Sequence, residues 1–319
     1  MIFLWGLQSD PPLAAVREQL SCLGAHTVFA DQRAVLETDV DLEVGETVKA
    51  SIRIRGESHD LMRVSAAYLR PYGSCDLPDI AAAAPESASW KHAALVDDLL
   101  TTWVEISPAF LINPFPAMCV NNSKPFQSEQ IHRQGWSIPE TLVTTDPDAA
   151  SEFWERHRDV IYKSVSSVRS QVSRLRPEHR ERFADIGSCP TQFQKFVPGR
   201  DHRVHVVGDE VFACEVSSDA DDYRYPGETE DVEVRACVLP GEIADRCRET
   251  ARAAGLAFTG IDLRRTPEGE WFCFELNPSP GFTYYERQAG QPIARAVAQL
   301  LMERGQRAAP VKAEMNTHA

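Results

Sequence analysis

The chain has 319 residues, of which 43% are hydrophobic and 25% are charged, and its formal net charge is −14. This composition is typical of a globular protein with two domains or of one large multi-lobed enzyme, and it excludes collagen-like, coiled-coil and disordered chains. Nucleic acids and anionic membranes bind basic surfaces, so we expect neither as a partner, and because we recognise no membrane-length apolar run and no secretory signal we expect a cytoplasmic protein.

The first part of the chain alternates between predicted strands and helices, which indicates an α/β lobe. A stiff segment, Asn113-Pro114-Phe115-Pro116, follows this lobe. We place a domain boundary there and expect residues 1–115 to form an N-terminal α/β domain. Its predicted elements are strands at 2–6, 27–30 and 110–113, helices at 11–24 and 89–106, and short alternating runs between 40 and 70.

The rest of the chain is predicted to form a second mixed region that ends in a meander and a hairpin. We divide it into a central subdomain (116–199), a C-terminal subdomain (200–305) and a loose tail (306–319). Predicted helices lie at 122–134, 146–157, 177–184, 240–255 and 292–304, and predicted strands at 141–144, 160–163, 191–197, 203–207, 210–217, 256–264 and 270–276.

One segment of the chain is locally basic although the chain as a whole is acidic. Between Arg156 and Arg203 there are eleven Lys or Arg and only five Asp or Glu. Many of these cations would fit a solvated helix face. Lys163 differs because it ends an apolar strand. We expect its aliphatic stem to be packed there, which fixes the direction of its ammonium group. A polyanion such as a nucleoside triphosphate would suit this local field.

The last predicted hairpin places polar residues inside otherwise apolar strands. Asp262 and Glu275 are expected on neighbouring strands, and Asn277 projects from the same side as Glu275. Two carboxylates and an amide oxygen supply the hard ligands that Mg²⁺ takes, with phosphate and water completing its shell. The alternative is an ordinary pair of polar residues in a hairpin, which would be expensive in such apolar strands.

The ordered motifs of this region resemble the ATP-grasp carboxylate–amine ligases. The run Asp262…Glu275-x-Asn277-Pro-x-Pro-Gly281 is similar to the metal motif of that family. The resemblance extends over about residues 113–302. Further similar segments, in the family's order, are Asn122–Gln127 with Lys124, Gly135–Thr141, Tyr162-Lys163, Gln192–Val197, Asp201–Asp209 and Asp222-Tyr223-Arg224.

The resemblance implies a mixed α/β (α+β) ATP-grasp fold behind an N-terminal α/β pre-ATP-grasp lobe. It also implies ATP and Mg²⁺ as cofactors, with two ions expected and Mn²⁺ as a possible substitute. A carboxylate would be phosphorylated to an acylphosphate and then joined to an amine or hydroxyl. The implied roles are nucleotide binding for Lys124, Lys163, Gln194, Lys195, Phe196 and Asp201, metal binding for Asp262, Glu275 and Asn277, and catalysis for Arg203 and Arg224.

Within the superfamily, several segments resemble the graspetide (microviridin-type) macrocyclases. They are Asp31–Arg33, Ala67–Arg70, Thr141–Asp146 and Gly281–Glu286. This likeness implies a ribosomal precursor peptide as partner, with Asp or Glu side chains joined to Ser, Thr or Lys. A homodimer is also possible. If the front lobe recognises the peptide, we expect an opposite-charge substitution of Arg70 to impair peptide use without changing ATP affinity.

Two other functions remain open. The run Ser279-Pro280-Gly281 is nearer the general ligase form, which favours a RimK-like ligase that joins an amino acid or small carboxylate to an amine. A nucleotide-binding regulator without activity is disfavoured by the two lysines and the metal triad. The role of the glycine-free loop Ser164–Ser170 stays open, and the acidic segment Ser217–Glu230 is either a peptide contact or a solvent loop.

Overall fold

The computed structural model of the chain describes residues 1–82, 84–165, 172–217 and 232–308. Its strands, numbered in chain order, are β1 (Ile2–Gly6), β2 (Thr27–Asp31), β3 (Thr38–Val44), β4 (Val48–Ile54), β5 (Glu57–Asp60), β6 (Ala66–Arg70), β7 (Phe110–Ile112), β8 (Thr141–Thr144), β9 (Val160–Ser164), β10 (Ser173–Arg174), β11 (Thr191–Lys195), β12 (Arg200–Val207), β13 (Glu210–Ser217), β14 (Glu233–Cys237), β15 (Phe258–Arg265) and β16 (Trp271–Asn277).

The helices follow most of the sequence predictions within a few residues. They are α1 (Pro11–Cys22), α2 (Pro78–Ala81), α3 (Ala88–Ile106), α4 (Phe115–Met118), α5 (Lys124–Arg133), α6 (Pro147–His157), α7 (Gly241–Ala253), α8 (Thr283–Ala289) and α9 (Ile293–Ala308). The predicted helix at 177–184 is a 3₁₀ segment, Pro177–Ser188. Within the described ranges, no helix has the length and apolar character that crossing a bilayer would require.

The chain divides into two compact units. The first contains Met1–Phe115 together with the C-terminal part from Pro292, and the second contains Pro116–Gln291. Helix α9 therefore belongs with the N-terminal lobe, where it packs on α1 and β6, whereas its position in the sequence predicts a place in the C-terminal subdomain. Division of the second unit at residue 199 stays a prediction.

The expected loose tail from residue 306 is wrong at its start, because α9 continues to Ala308. Its Gly305 lies against β6 and the residue before it. A Cβ atom built on Gly305 would come within 2.9 Å of Ser65 Oγ and 3.2 Å of Ala66 Cβ. Gly305 is therefore a point of close approach that lets the helix continue rather than a signal that ends it.

The first unit is built on a four-stranded parallel sheet in the order β2-β1-β6-β7. Its core contains the apolar faces of β1 and α3, where Phe3 and Trp103 meet edge to face with ring centroids 5.1 Å apart. A separate antiparallel sheet, β3-β4-β5, packs its apolar side on α3 through Val40 and Ile52. The predicted α/β character of this lobe is confirmed.

Arg70 ends β6 inside a buried network, so an opposite-charge substitution there would disturb the fold as well as any peptide contact. Its Nε donates to Asp10 Oδ2 at 2.6 Å, and the side chains of Arg70 and Asp10 are only 9% and 4% exposed. Asp10 also accepts from the Leu13 N–H at the start of α1. The pair thus joins β6 to the first turn of α1.

Replacing Arg70 by alanine is expected to lower the free energy of unfolding by about 3 kcal/mol, because it leaves the buried Asp10 carboxylate without its cation. Urea unfolding followed by circular dichroism measures the change. Arg53→Ala is a matched control, since Arg53 pairs with Asp39 on the exposed face of β4 and should cost less than about 1 kcal/mol. Equal losses for the two variants would contradict a structural role for the buried pair.

The second unit contains two antiparallel sheets. The smaller has the order β10-β9-β11-β8 and the larger has the order β14-β13-β12-β15-β16. One face of the smaller sheet is apolar, with Tyr162 and Phe193 packed among the residues of α6 and the 3₁₀ segment. One face of the larger sheet packs on α7. The opposite face of each sheet is more polar.

Candidate active site

The predicted metal site lies on the polar face of the larger sheet. Each of the strands β12, β15 and β16 contributes a tripeptide whose middle residue is apolar. The middle residues Val204, Ile261 and Leu276 are buried in the core beside α7. The outer residues alternate to the opposite face. In strand register they form two rows, Arg203–Asp262–Glu275 and His205–Gly260–Asn277.

Each carboxylate of the first row already contacts a cation. Arg203 Nη1 donates to Asp262 Oδ1 at 2.6 Å, and Lys124 Nζ, at the start of α5, lies 3.5 Å from Glu275 Oε1. Lys124 and Arg203 are nearly fully buried, whereas the two carboxylates keep about a fifth of their side-chain surface. The site therefore combines buried fixed cations with accessible oxygen ligands, which suits an incoming metal–phosphate group.

The donor set fits Mg²⁺. Asp262 and Glu275 offer carboxylate oxygens, and Asn277 Oδ1 is held in place by the Ser279 N–H at 3.0 Å. No cluster of three His, Cys, Asp or Glu that could enclose a metal ion occurs in the described ranges. Two carboxylates and one amide would leave positions for phosphate oxygens and water, which is the usual way in which proteins bind Mg²⁺.

The second row contains a histidine that the sequence motifs do not single out. His205 is completely buried, and its Nε2 accepts a hydrogen bond from Arg203 Nε at 3.4 Å. Burial, assisted by the Arg203 guanidinium, holds the pKa of His205 well below its usual range. His202, two residues earlier, packs on Trp271, and burial also lowers its pKa. His202 thus has a packing role, whereas His205 touches a predicted catalytic residue.

The smaller sheet of the second unit carries the second predicted nucleotide lysine. Lys163 in β9 pairs directly with Gln192 in β11, and Gln194 lies on the same face two residues on. The two glutamine side chains are buried, and Gln194 Nε2 donates to Thr141 Oγ1 at 3.0 Å. Both Oε1 atoms are without a hydrogen-bond partner among the described residues. Buried acceptors of this kind mark a place where a ligand can supply donors.

Two backbone N–H groups at the end of β11 already have hydrogen-bond partners within the protein. The Lys195 N–H donates to Glu140 O and the Phe196 N–H donates to Asp159 O, both at 2.9 Å. These two N–H groups are therefore used within the protein. Any adenine contact of this strand has to come from its carbonyl groups, from the Gln194 side chain or from a neighbouring amide.

Asp201 is linked to the segment after β11 through Arg264. Its carboxylate accepts two hydrogen bonds from Arg264, at 2.7 and 2.8 Å, and Arg264 Nη1 donates to Val197 O at 2.8 Å. The Arg264 guanidinium also lies 5.5 Å from the centre of the Phe196 ring. Asp201 thus holds Arg264, which in turn holds the segment after β11. A direct contact of Asp201 with nucleotide stays a prediction.

Several predicted features lie outside the described residues. Arg224, the second predicted catalytic arginine, is one of them. Most of the glycine-free loop after Lys163 and all but the first residue of the acidic segment 217–230 are others. The structure therefore brings together Lys124, Arg203, Asp262, Glu275 and Asn277, and it places Lys163, Gln194, Lys195 and Phe196 on or next to the smaller sheet.

Comparison with known proteins identifies the family to which the chain is similar. A family profile described as the RimK-like ATP-grasp domain matches residues 124–301. A probable alpha-L-glutamate ligase of Xanthomonas oryzae pv. oryzae (strain MAFF 311018) is 27% identical over 226 residues, which are 65% of this chain and 73% of that protein.

Solved structures match over nearly the whole chain. The ATP-grasp ligase PsnB, complexed with a phosphomimetic variant of its minimal precursor, Mg and ADP, has a TM-score of 0.79 and 25% identity and covers 95% of this chain and 98% of its own. The macrocyclase MdnC from Microcystis aeruginosa MRC, bound to its precursor peptide MdnA, has a TM-score of 0.81 at 22% identity, with 95% and 99% covered. The second likeness supports the fold alone.

The fold and the site together define an ATP-grasp ligase. The profile match covers more than half of the sequence, and the predicted ATP-grasp fold is confirmed. The chain belongs to the RimK-like ATP-grasp family. ATP and Mg²⁺, the predicted cofactors, agree with the Mg and ADP held by the PsnB structure.

Proposed function

We propose that this ligase activates a carboxylate of a ribosomal precursor peptide and joins it to a hydroxyl or amine of the same peptide. The observation that carries the ligase chemistry is the row Arg203–Asp262–Glu275, a buried arginine beside two accessible carboxylates on one sheet face. The peptide substrate is supported by the extent of the match. PsnB aligns with 95% of the chain, including the first unit, whereas the glutamate ligase aligns with 65%.

In this proposal, residues on or beside the two sheets of the second unit bind different parts of ATP. Lys124 and Lys163 offset the triphosphate charge as compact ammonium groups. Gln194, whose Nε2 is fixed by Thr141, presents its oxygen as an acceptor and suits the exocyclic amine of adenine. The Lys195 and Phe196 backbone adds contacts through groups other than the two N–H groups already used.

Arg203 and the metal ligands act on the transferring phosphate. Asp262, Glu275 and Asn277 would hold Mg²⁺, which supplies neutralisation of phosphate charge. The substrate carboxylate attacks the γ-phosphorus, the bond to ADP breaks, and an acylphosphate forms. Arg203, held by Asp262, stabilises the charge on the equatorial phosphate oxygens. The peptide hydroxyl or amine then attacks the acyl carbon, loses its proton and releases phosphate. Arg224 is proposed to assist at the same phosphate or at the substrate carboxylate.

Mass spectrometry of a reconstituted reaction tests the substrate. The protein is incubated with ATP, Mg²⁺ and the short peptide encoded beside its gene, chosen for repeated Thr or Ser and Glu or Asp. Loss of one water mass per crosslink, with ADP formed in equal amount, is expected. Addition of a glutamate residue to a peptide end or small carboxylate, without loss of water from the precursor, would favour the RimK-like amino-acid ligase instead. We retain the cytoplasm, where ATP is plentiful, as the expected compartment.

Replacing Lys163 by methionine is expected to weaken binding of Mg–ATP by about tenfold, because a charge-assisted phosphate contact of about 1.4 kcal/mol is lost. Methionine keeps the length and apolar stem of the side chain, so the sheet should stay folded. Titration calorimetry with a non-hydrolysable ATP analogue gives the dissociation constant. Arg182→Met, in the 3₁₀ segment that packs on the same sheet but exposed and paired with Asp185, is the control. An unchanged dissociation constant for Lys163→Met would exclude its phosphate role.

A further inference from the structure

Arg203 is held by more than its ion pair with Asp262. Three further groups surround its guanidinium: His205 on the same strand, Gly260 on β15 and Tyr285 on α8. His205 Nε2 accepts from Arg203 Nε, and the Tyr285 ring centre lies 5.6 Å from Arg203 Cζ. The His205 ring packs on Tyr285 with centroids 5.3 Å apart. These groups touch the arginine and none of them belongs to the predicted ligand set.

Gly260 supplies the space in which the guanidinium lies. A Cβ atom built there would come within 2.6 Å of Arg203 Cζ and still closer to Nη2. No side chain with a Cβ fits without moving the arginine. The guanidinium therefore packs directly against the backbone of β15 at Gly260. Asp262, two residues further along this strand, accepts a hydrogen bond from Arg203 Nη1.

His205 has a hydrogen-bonding arrangement that stability alone does not explain. Because its Nε2 accepts from Arg203, its single proton lies on Nδ1, and Nδ1 has no hydrogen-bond partner among the described residues. A buried donor without an acceptor is unfavourable. An apolar side chain of similar size would avoid this cost but would take the acceptor from the buried Arg203 Nε–H. His205 is therefore suited to the arginine rather than to the apolar core.

We propose that His205 is a positioning residue for phosphoryl transfer, which keeps the Arg203 guanidinium over Gly260 by accepting its Nε–H as a neutral imidazole. This arrangement occupies Nε and leaves the Nη edge directed to Asp262 and the incoming phosphate. Tyr285 packs on the ring of His205. The segment Gly281–Glu286, which contains Tyr285, therefore contributes to the site. The inference rests on the proposed role of Arg203 at the transferring phosphate.

Two substitutions of His205 separate positioning from packing. His205→Leu keeps an apolar volume but has no acceptor, whereas the Oε1 of His205→Gln can reach the place of Nε2. For His205→Leu we expect about a tenfold fall in kcat for ADP formation with the precursor peptide. We also expect an unchanged dissociation constant for a non-hydrolysable ATP analogue and only a small change in Tm, because the leucine removes the unpaired Nδ1–H but also the acceptor of Arg203 Nε. His205→Gln should recover most of the lost kcat.

A double-mutant cycle tests whether His205 acts through Arg203. In Arg203→Lys, which retains a charge and loses the Nε–H, adding His205→Leu should change kcat by less than about twofold. Gly260→Ala should reduce kcat in the wild-type background and have little further effect in Arg203→Lys.

Three results would overturn the inference: wild-type kcat in His205→Leu, equal losses in the leucine and glutamine variants together with a lower Tm, or a full additional loss in the Arg203→Lys background. Failure of the proposed function is separately visible, because the wild-type protein would then form no ADP with the precursor peptide. Failure of the proposed role of Arg203 would appear as normal kcat in Arg203→Gln. A large loss in Arg203→Gln with none in His205→Leu removes only the role of His205.

Discussion

Replacing Asp262 by asparagine, or Glu275 by glutamine, is expected to lower ATP turnover by at least about 100-fold, because each change removes a charged ligand of the proposed Mg²⁺ site. Both substitutions keep the shape of the side chain and one oxygen atom. The new asparagine can still accept from Arg203, and the new glutamine can still accept from Lys124. The fold should therefore survive, and the loss should be confined to nucleotide chemistry.

ADP release in a coupled assay, with and without the precursor peptide, measures this loss. Asp245→Asn is the matched control, since Asp245 pairs with Arg248 on the exposed face of α7 and has no place in the proposed machinery. Raising the Mg²⁺ concentration should rescue part of the activity of a ligand variant but not change the control. Full turnover in either ligand variant at ordinary Mg²⁺ would mean that the metal lies elsewhere.

Replacing Arg203 by glutamine is expected to lower kcat by about 100- to 1000-fold with little effect on nucleotide affinity, the result of removing a fixed donor from a developing charge. The effect is large because Arg203 is 7% exposed and already oriented by Asp262, so no water or other side chain can take its place at once. Arg203→Lys should lose less, because it keeps the charge without the planar fork.

Arg200→Gln is the matched control for this change. Arg200 lies on the same strand, three residues earlier, and its side chain forms an exposed ion pair with Glu215. Single-turnover kinetics separate phosphoryl transfer from product release, and calorimetry gives the nucleotide affinity. A fall in affinity with an unchanged rate at saturation would assign Arg203 to ground-state binding rather than to the transition state.

Much of the local structure could be predicted from the sequence because its signals are local. The strand β8, Thr141–Thr144, matches its prediction at both ends, since Pro139 precedes it and Asp146-Pro147 begins the next helix. The hairpin of β15 and β16 was equally accessible as a hairpin, because two apolar runs flank the turn at Gly269, but its register shifts between Asp262 and Leu263. The direct pairing of Asp262 with Glu275 lies beyond this shift, so counting from the turn does not predict it.

The errors concern contacts between residues distant in sequence. Arg70 could not be recognised as buried, because its partner Asp10 lies 60 residues away. The position of α9 in the chain does not reveal the surface on which it packs, and Gly305, which in sequence is typical of a helix end, is a contact with β6. Periodicity shows which face is apolar but not what covers it.

His205 illustrates the same limit within the site. The alternation of Arg203 and His205 along one strand already indicates a shared face. It does not indicate whether a histidine beside an arginine is a ligand, a packing group or a hydrogen-bond acceptor. The close approach of Gly260 and the burial of both side chains decide this, and both depend on the pairing of β12 with β15.

Calorimetric titration with a non-hydrolysable ATP analogue, with and without Mg²⁺, tests the central claim most directly. We expect Mg²⁺-dependent binding by the wild-type protein, loss of that dependence in Asp262→Asn, and unchanged binding by the Asp245→Asn control. Two results would contradict the assignment of the metal site to Asp262, Glu275 and Asn277. One is binding by the wild-type protein that does not depend on Mg²⁺, and the other is binding by Asp262→Asn that depends on Mg²⁺ as strongly as that of the wild type.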